Sequence, residues 1–348
     1  MRSSPADPPE RDLMKAVVWT AYGPPDVLQL QEITKPTPKD NEVLIRIRAA
    51  TVTAGDCEAR NLSFSPMLAL PMRAYVGLRR PTRKTILGQE FAGEVEAVGK
   101  AVTRFQPSDA VFGHSGFMTG TYAEYICLPE EPAGINGLIE AMPVTASFEE
   151  AAAVPVGGLE ALYYLRRADL QSGQKLLIIG AGGSIGTFGV QLGKHLGAEV
   201  TAVDSAAKLD MLRSIGADHV IDYTQEDFTE NGQFYDVIFD VPGKGSVARG
   251  MRSLTDPGVY LRANTSASKS MRGQWASRKT NKTIISGATY SAGDLPFLKR
   301  LIEEGKLRTV IDRCYPLEQT AEAHRYVETG QKVGNVVITV RPQKEQGV

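Results

Sequence analysis

At 348 residues, 42% of them hydrophobic, the chain is long enough for about two domains and can fill two cores. Lys and Arg number 39 against 40 Asp and Glu, for a formal net charge of -1, and no basic run could track a phosphate backbone, which excludes nucleic acid as an expected partner. Cys57, Cys127 and Cys314 lie far apart without C-x-x-C spacing, which excludes a disulfide framework, an iron–sulfur site and a structural zinc knot, and fits a reducing cytoplasm.

In chain order, residues 1–13 (MRSSPADPPERDL) are proline-rich and charged with no apolar core, so a disordered leader is expected and not a signal peptide. The next stretch is strand-rich. In EVLIRIRAA, Val43, Ile45 and Ile47 alternate with Arg46 and Arg48, the pattern of a half-buried strand. FAGEVEAVG and TYAEYICLP continue in this style between glycine and proline turns, which predicts an irregular barrel-like β domain.

From about Val154 the pattern becomes a strand–helix alternation. QKLLIIGA, EVTAVD, HVIDY, YDVIFDVPG, GVYLRAN and KTIISGATY read as six strands, and SIGTFGVQLGKHLG as a helix with Ile185, Phe188, Gly189, Leu192 and Leu196 on one face. Continuous apolar strands joined by helices predict a parallel sheet covered on both faces, a doubly wound dinucleotide-binding fold. A helix near 295–304 and the strand NVVITV are expected to return the chain to the first domain.

Ala181-Gly182-Gly183-Ser184-Ile185-Gly186 follows the first of these strands and opens its helix, as the glycine fingerprint for a dinucleotide requires. Gly183 would admit the pyrophosphate, Gly186 would let the helix pack close to the sheet, and the helix N-terminus would offer its amides to phosphate oxygens. Asp204 ends the next strand at the distance expected of a residue that binds the adenosine ribose and repels a 2′-phosphate, which leans the cofactor to NADH. Ser205 and Lys208 follow at once, and a hydroxyl with an ammonium is also what would hold that phosphate, so NADPH stays open. Lys208 could equally be a solvated residue of the first turn.

The motifs GPPDVLQLQE, PKDNEVLIRIRAATVTAGD, ILGQEFAGEVEAVGKAVTRF, GTYAEYICLPE, EEAAAVPVGGLEALYYL, GAGGSIGTFGVQLGKHLGAEV and SIGADHVIDY occur in this order. Together they resemble the medium-chain dehydrogenase/reductase superfamily, in its zinc-independent quinone oxidoreductase-like branch, from about Met14 to Val340. The resemblance implies a GroES-like catalytic domain (14–154 and 291–348), a Rossmann domain (155–290), a cleft between them for nicotinamide and substrate, and a homodimer.

Zinc-dependent members of that superfamily use an early cysteine, the histidine of a Gly-His-Glu motif and a third, later ligand. The corresponding positions here are Thr53, Gln89 and the neighbourhood of Val156-Gly157, none of which can act as thiolate or imidazole. Without zinc, an isolated ketone is a poor hydride acceptor, whereas a quinone or a carbonyl-conjugated alkene spreads the developing charge and needs only neutral donors. Thr53, Gln89 and Tyr122 are the expected donors, with the alternative that Thr53 and Gln89 only fill a cavity through mutual hydrogen bonds. Asp56 matches an acidic position of the family and could be structural or catalytic. His114 could be a proton relay, but it reads rather as a loop histidine exposed to water. Quinone-reducing relatives often carry a tyrosine two positions after that aspartate, where this chain has Glu58.

The insert 61–84 precedes Gln89, and Phe64, Met67, Leu68, Met72 and Tyr75 could line a pocket for a bulky apolar substrate. An amphipathic, basic-edged membrane anchor and plain packing against the barrel are the competing readings, and membrane association is not the favoured one. The expected activity is NAD(P)H-dependent reduction of quinones or α,β-unsaturated carbonyl compounds. A slow nucleotide-binding sensor or membrane-associated scaffold, or a zinc-free alcohol dehydrogenase, are the alternatives.

Overall fold

The computed structural model describes residues 12–63, 66–83, 85–116, 120–132, 137–243, 245–264, 281–289, 291 and 293–340, without the side chains of 66–68. Of the expected leader, residues 1–11 lie outside the described residues, and Leu13 already opens a strand. That strand, β1 (Leu13–Trp19), pairs antiparallel with β2 (Leu28–Thr34).

The first large sheet takes the order β14-β15-β3-β4-β5-β7, with β6 also on β3. Its members are β3 (Glu42–Val52), β4 (Glu90–Val98), β5 (Ala110–His114), β6 (Tyr125–Pro129), β7 (Leu138–Ala141), β14 (Ile311–Pro316) and β15 (Asn335–Thr339). The alternation in β3 has the expected result. Val43, Ile45 and Ile47 are buried, while Arg46 and Arg48 turn outward to Glu96 at 3.3 Å and Glu94 at 3.1 Å.

The second sheet is wholly parallel, in the order β10-β9-β8-β11-β12-β13. It contains β8 (Lys175–Ile179), β9 (Glu199–Asp204), β10 (His219–Asp222), β11 (Tyr235–Asp240), β12 (Leu254–Arg262) and β13 (Thr283–Ser286). In chain order this is 3-2-1-4-5-6, the doubly wound arrangement, so the strand order reverses between β8 and β11 and a crevice opens at their carboxyl ends.

Helices α4 (Pro155–Arg167) and α5 (Ser184–His195) pack closely over this sheet. A Cβ on Gly157 would come within 2.9 Å of the Phe188 ring. Helix α8 (Asp294–Glu303) lies on α4, where Leu298 would meet a Cβ on Gly158 at 2.8 Å. The chain then rejoins the first sheet through β14 and β15, with β15 antiparallel to β3. This return brings the 330–335 turn beside the β8–α5 loop, through a bridge between Gly183 and Gly334.

Candidate active site

The end of β3 runs directly into α1 (Ala54–Asn61), and Thr53 caps that helix. Its hydroxyl accepts from the Asp56 amide at 3.1 Å, while the Asp56 carboxylate accepts from the Thr53 amide at 2.9 Å and from the Thr53 hydroxyl at 2.7 Å. Such a reciprocal box satisfies first-turn donors that the helix leaves open. Gln89 stands just before β4 and donates its amide to the other Asp56 oxygen at 3.3 Å. Gly88 makes this approach possible: at φ +95° it also lies where a Cβ would fall 2.2 Å from the Thr121 hydroxyl and 2.8 Å from the Tyr122 ring.

The four expected residues are thus brought together in two layers. Thr53 and Gln89 are each 8% exposed, whereas Asp56 is 1% and Tyr122 0% exposed. Tyr122 turns its hydroxyl toward Asp56 without strict hydrogen-bond geometry; burial, then the nearby carboxylate, raises its pKa well above that of an ordinary phenol. Burial also raises the Asp56 pKa, against the hydrogen bonds from Thr53 and Gln89 that favour its charged form. His114 differs from expectation. It closes β5 opposite Glu90 and is only 4% exposed, because the ladder continues to that residue.

Glu90 joins this group to the second domain. Its carboxylate accepts from the Val156 amide in the first turn of α4 at 2.6 Å and from the Thr51 hydroxyl. The helix N-terminus suits a carboxylate, but burial outweighs these contacts and pushes the pKa up to about 7. A raised acid pKa means that between about 4.5 and about 7 the folded chain holds a proton that the unfolded chain has lost. Stability therefore falls as pH rises through that window. Glu90→Gln keeps an acceptor for Val156 and removes the charge. It should raise thermal stability at pH 8, by on the order of 1–3 kcal/mol, and leave it nearly unchanged at pH 4.5. Equal shifts at both pH values in calorimetric melts would contradict this.

Between β8 and α5, Gly180 adopts φ +72° to turn the chain. A Cβ on Gly186 would lie 2.5 Å from the Gly180 carbonyl oxygen and 2.6 Å from Ala181 Cα, so α5 sits as close to the strand as glycine allows. Around Gly183 the space is open, with the nearest atom 3.6 Å from such a Cβ. Asp204 accepts from the Gly182 and Ser205 amides at 2.8 Å each and faces the Lys208 ammonium at 3.3 Å. Lys208 lies across Gly182, whose Cβ would be 2.5 Å from Lys208 Cδ, and is 7% exposed. It is therefore not a solvated first-turn residue.

One residue of this loop has no counterpart among the sequence expectations. Lys332 donates to the Ser184 hydroxyl at 2.8 Å and to the Gly334 carbonyl at 2.5 Å, while the Gly334 amide donates to Gly182 O at 2.8 Å. Burial, then the charge of Lys208, brings the Lys332 pKa down to about 8. The Lys332 ammonium and the first-turn amides of Ser184, Ile185 and Gly186 border the glycine loop, a donor set that fits the pyrophosphate of a dinucleotide.

The expected substrate pocket fares less well. Phe64 lies outside the described residues, and Met67 and Leu68 occupy the start of α2 (Pro66–Val76) with side chains outside them. Met72 leans on the core of the first sheet. Tyr75 is 53% exposed, whereas its neighbour Val76 is fully buried against the fold. Cys57 is 3.4 Å from His324, which also meets the Arg60 guanidinium at 3.0 Å. Among the described residues no group of three or more His, Cys, Asp or Glu could hold a metal ion.

Two family models match the chain: the alcohol dehydrogenase GroES-like domain over residues 39–134, and the zinc-binding dehydrogenase over residues 215–338. A 2-methylene-furan-3-one reductase of Solanum lycopersicum is 30% identical, over 93% of this chain and 79% of its own length. A chloroplastic NADPH-dependent alkenal/one oxidoreductase of Arabidopsis thaliana is 29% identical over the same shares. The solved structure of a quinone oxidoreductase from Coxiella burnetii superposes with a TM-score of 0.83 at 29% identity, covering 94% of this chain and all of that one.

Proposed function

Because this chain belongs to the medium-chain dehydrogenase/reductase superfamily, in its quinone oxidoreductase-like branch, we propose that it is a zinc-independent NAD(P)H-dependent reductase of quinones or α,β-unsaturated carbonyl compounds. A bound dihydronicotinamide supplies the hydride. The chain's own residues hold the dinucleotide and settle the acceptor oxygen. Ser184 to Gly186 and Lys332 would hold the pyrophosphate, and Asp204, with Lys208 beside it, would meet the adenosine ribose. The observation that carries this reading is the orientation of Gln89. Asp56 takes one of its amide hydrogens, which fixes the nitrogen and leaves the second hydrogen for the acceptor oxygen. The Thr53 hydrogen is already given to Asp56, so Thr53 positions Asp56 and Gln89 donates. Tyr122 acts only from behind, through Asp56, and water supplies the proton.

The side chains at the relevant positions support zinc-independence, since neither Thr53 nor Gln89 can be a thiolate or imidazole ligand. The isolated protein should consume NADH or NADPH with a quinone acceptor, hold no stoichiometric zinc and keep its activity after chelation. One tightly held zinc per chain, lost together with activity, would overturn the proposal. The homodimer and cytoplasmic setting expected from the sequence belong to the same reading.

Cofactor choice turns on the Asp204–Lys208 pair. The Asp204 charge repels a 2′-phosphate and engages the ammonium that could otherwise bind it, which supports the lean to NADH. Asp204→Ser should improve kcat/KM for NADPH relative to NADH by on the order of tenfold, about 1.4 kcal/mol, and Lys208→Ala in that background should remove the gain. A wild type that already prefers NADPH strongly and loses the preference on Lys208→Ala would show that the lysine decides.

A further inference from the structure

Helix α2 exposes the wrong side of its sequence to water. Its outward stripe is Leu70, Pro71, Ala74 and Tyr75, extended by Leu78 beyond the helix end, with Leu70 69% and Leu78 68% exposed. Leu70, Pro71, Ala74 and Tyr75 fall at i, i+1, i+4 and i+5, one continuous face of the helix. A surface helix of a soluble domain normally carries its charges there. Here Val76 is fully buried, and Arg73 turns back over the Tyr22 ring at 4.7 Å from its centroid.

The turn after α2 folds back beside this stripe and edges it with arginine. Gly77, at φ +151°, allows a bend in which a Cβ would lie 2.0 Å from the Arg80 carbonyl oxygen. Arg83 then donates to the Ala74 and Tyr75 carbonyls at 3.2 and 3.3 Å. Arg79, Arg80 and Arg83 are all exposed. Residues 61–88 contain no Asp or Glu, in a chain whose net charge is -1.

We propose that the apolar stripe of α2 and the arginines that border it form a docking surface for an anionic phospholipid bilayer. Charge complementarity selects this occupant. Apolar side chains ringed by Arg, with no acidic residue among them, match the boundary between anionic headgroups and acyl chains. A second copy of the chain is a poorer match, since an isologous contact through this patch would bring together two segments that carry arginines and no acidic residue. Among the described residues no helix is long and apolar enough to cross a membrane, so the contact is peripheral. The segment follows α1 and leads directly to Gln89, which would bring the acceptor site close to the lipid surface. The surface does not rest on the reductase reading, because binding is measured without cofactor or acceptor.

The test is cosedimentation of the full chain with vesicles of phosphatidylcholine alone and of phosphatidylcholine mixed with phosphatidylglycerol. Binding should favour the anionic vesicles by on the order of 100-fold, from about fivefold for each of three arginines, and should weaken as salt is raised. Arg79→Glu with Arg80→Glu should remove the preference, and Leu70→Ser with Leu78→Ser should weaken binding to anionic vesicles. Neither pair should change turnover of a water-soluble acceptor. The proposal is overturned if the protein stays in the supernatant with both vesicles or binds both equally. It is also overturned if the leucine variants instead abolish self-association of a chain that ignores lipid.

Discussion

Gly186→Val should abolish dinucleotide binding while leaving the first sheet folded. The side chain would start from a Cβ 2.5 Å from the Gly180 oxygen and 2.6 Å from Ala181 Cα, and both contacts are backbone, which cannot swing aside. Helix α5 must move off β8 and take with it the first-turn amides and the Ser184 hydroxyl bonded to Lys332. Overpacking of this kind costs roughly 1–3 kcal/mol of stability. The loss of phosphate contacts should raise Kd at least about 100-fold, near 3 kcal/mol. Gly183→Ala is the informative companion. Gly183 has an extended backbone (φ -91°, ψ -179°) and open space, so alanine should be tolerated by the fold and felt mainly by the ligand. Fluorescence titration with NADH and NADPH, beside thermal melts, checks both. Unchanged affinity in Gly186→Val would mean that the glycine loop is not the dinucleotide site.

The parallel sheet was legible because its strands are short apolar runs separated by helices, a local pattern that period and composition register directly. The glycine loop was legible for the same reason, since strand, fingerprint and helix are contiguous. Thr53, Asp56 and Gln89 could be named from short motifs, but their arrangement could not. That Asp56 takes the Thr53 hydrogen and fixes Gln89 depends on the register of β3 against β4. Lys332 was invisible because it reaches Ser184 across 148 residues of chain, through the pairing of β15 with β3. Strand β14 was missed as well. IDRCYP carries Asp312 and Arg313 and is largely accessible, so it lacks the alternation that marks a half-buried strand. Which side of α2 meets the fold was not legible either, because it is set by the packing of Val76 and not by the composition of the insert.

The acceptor preference should be the largest effect of all. Hydride arriving at the far carbon of an enone or at a quinone ring leaves a delocalised oxyanion, which one Gln89 hydrogen can hold while water protonates it. An unconjugated ketone concentrates the same charge on one oxygen. Polarising it without a metal forgoes several kcal/mol of Lewis-acid stabilisation, and neither Asp56, surrounded by donors, nor Tyr122, fully buried, stands in for it. Steady-state kcat/KM for matched pairs of an enone and its saturated ketone, measured on chelator-treated protein with NADH and NADPH, tests this most directly. The expected result is a preference for the enone on the order of 1000-fold, about 4 kcal/mol. Comparable values for the two members of a pair, or efficient oxidation of a simple alcohol, would contradict a site built on neutral donors.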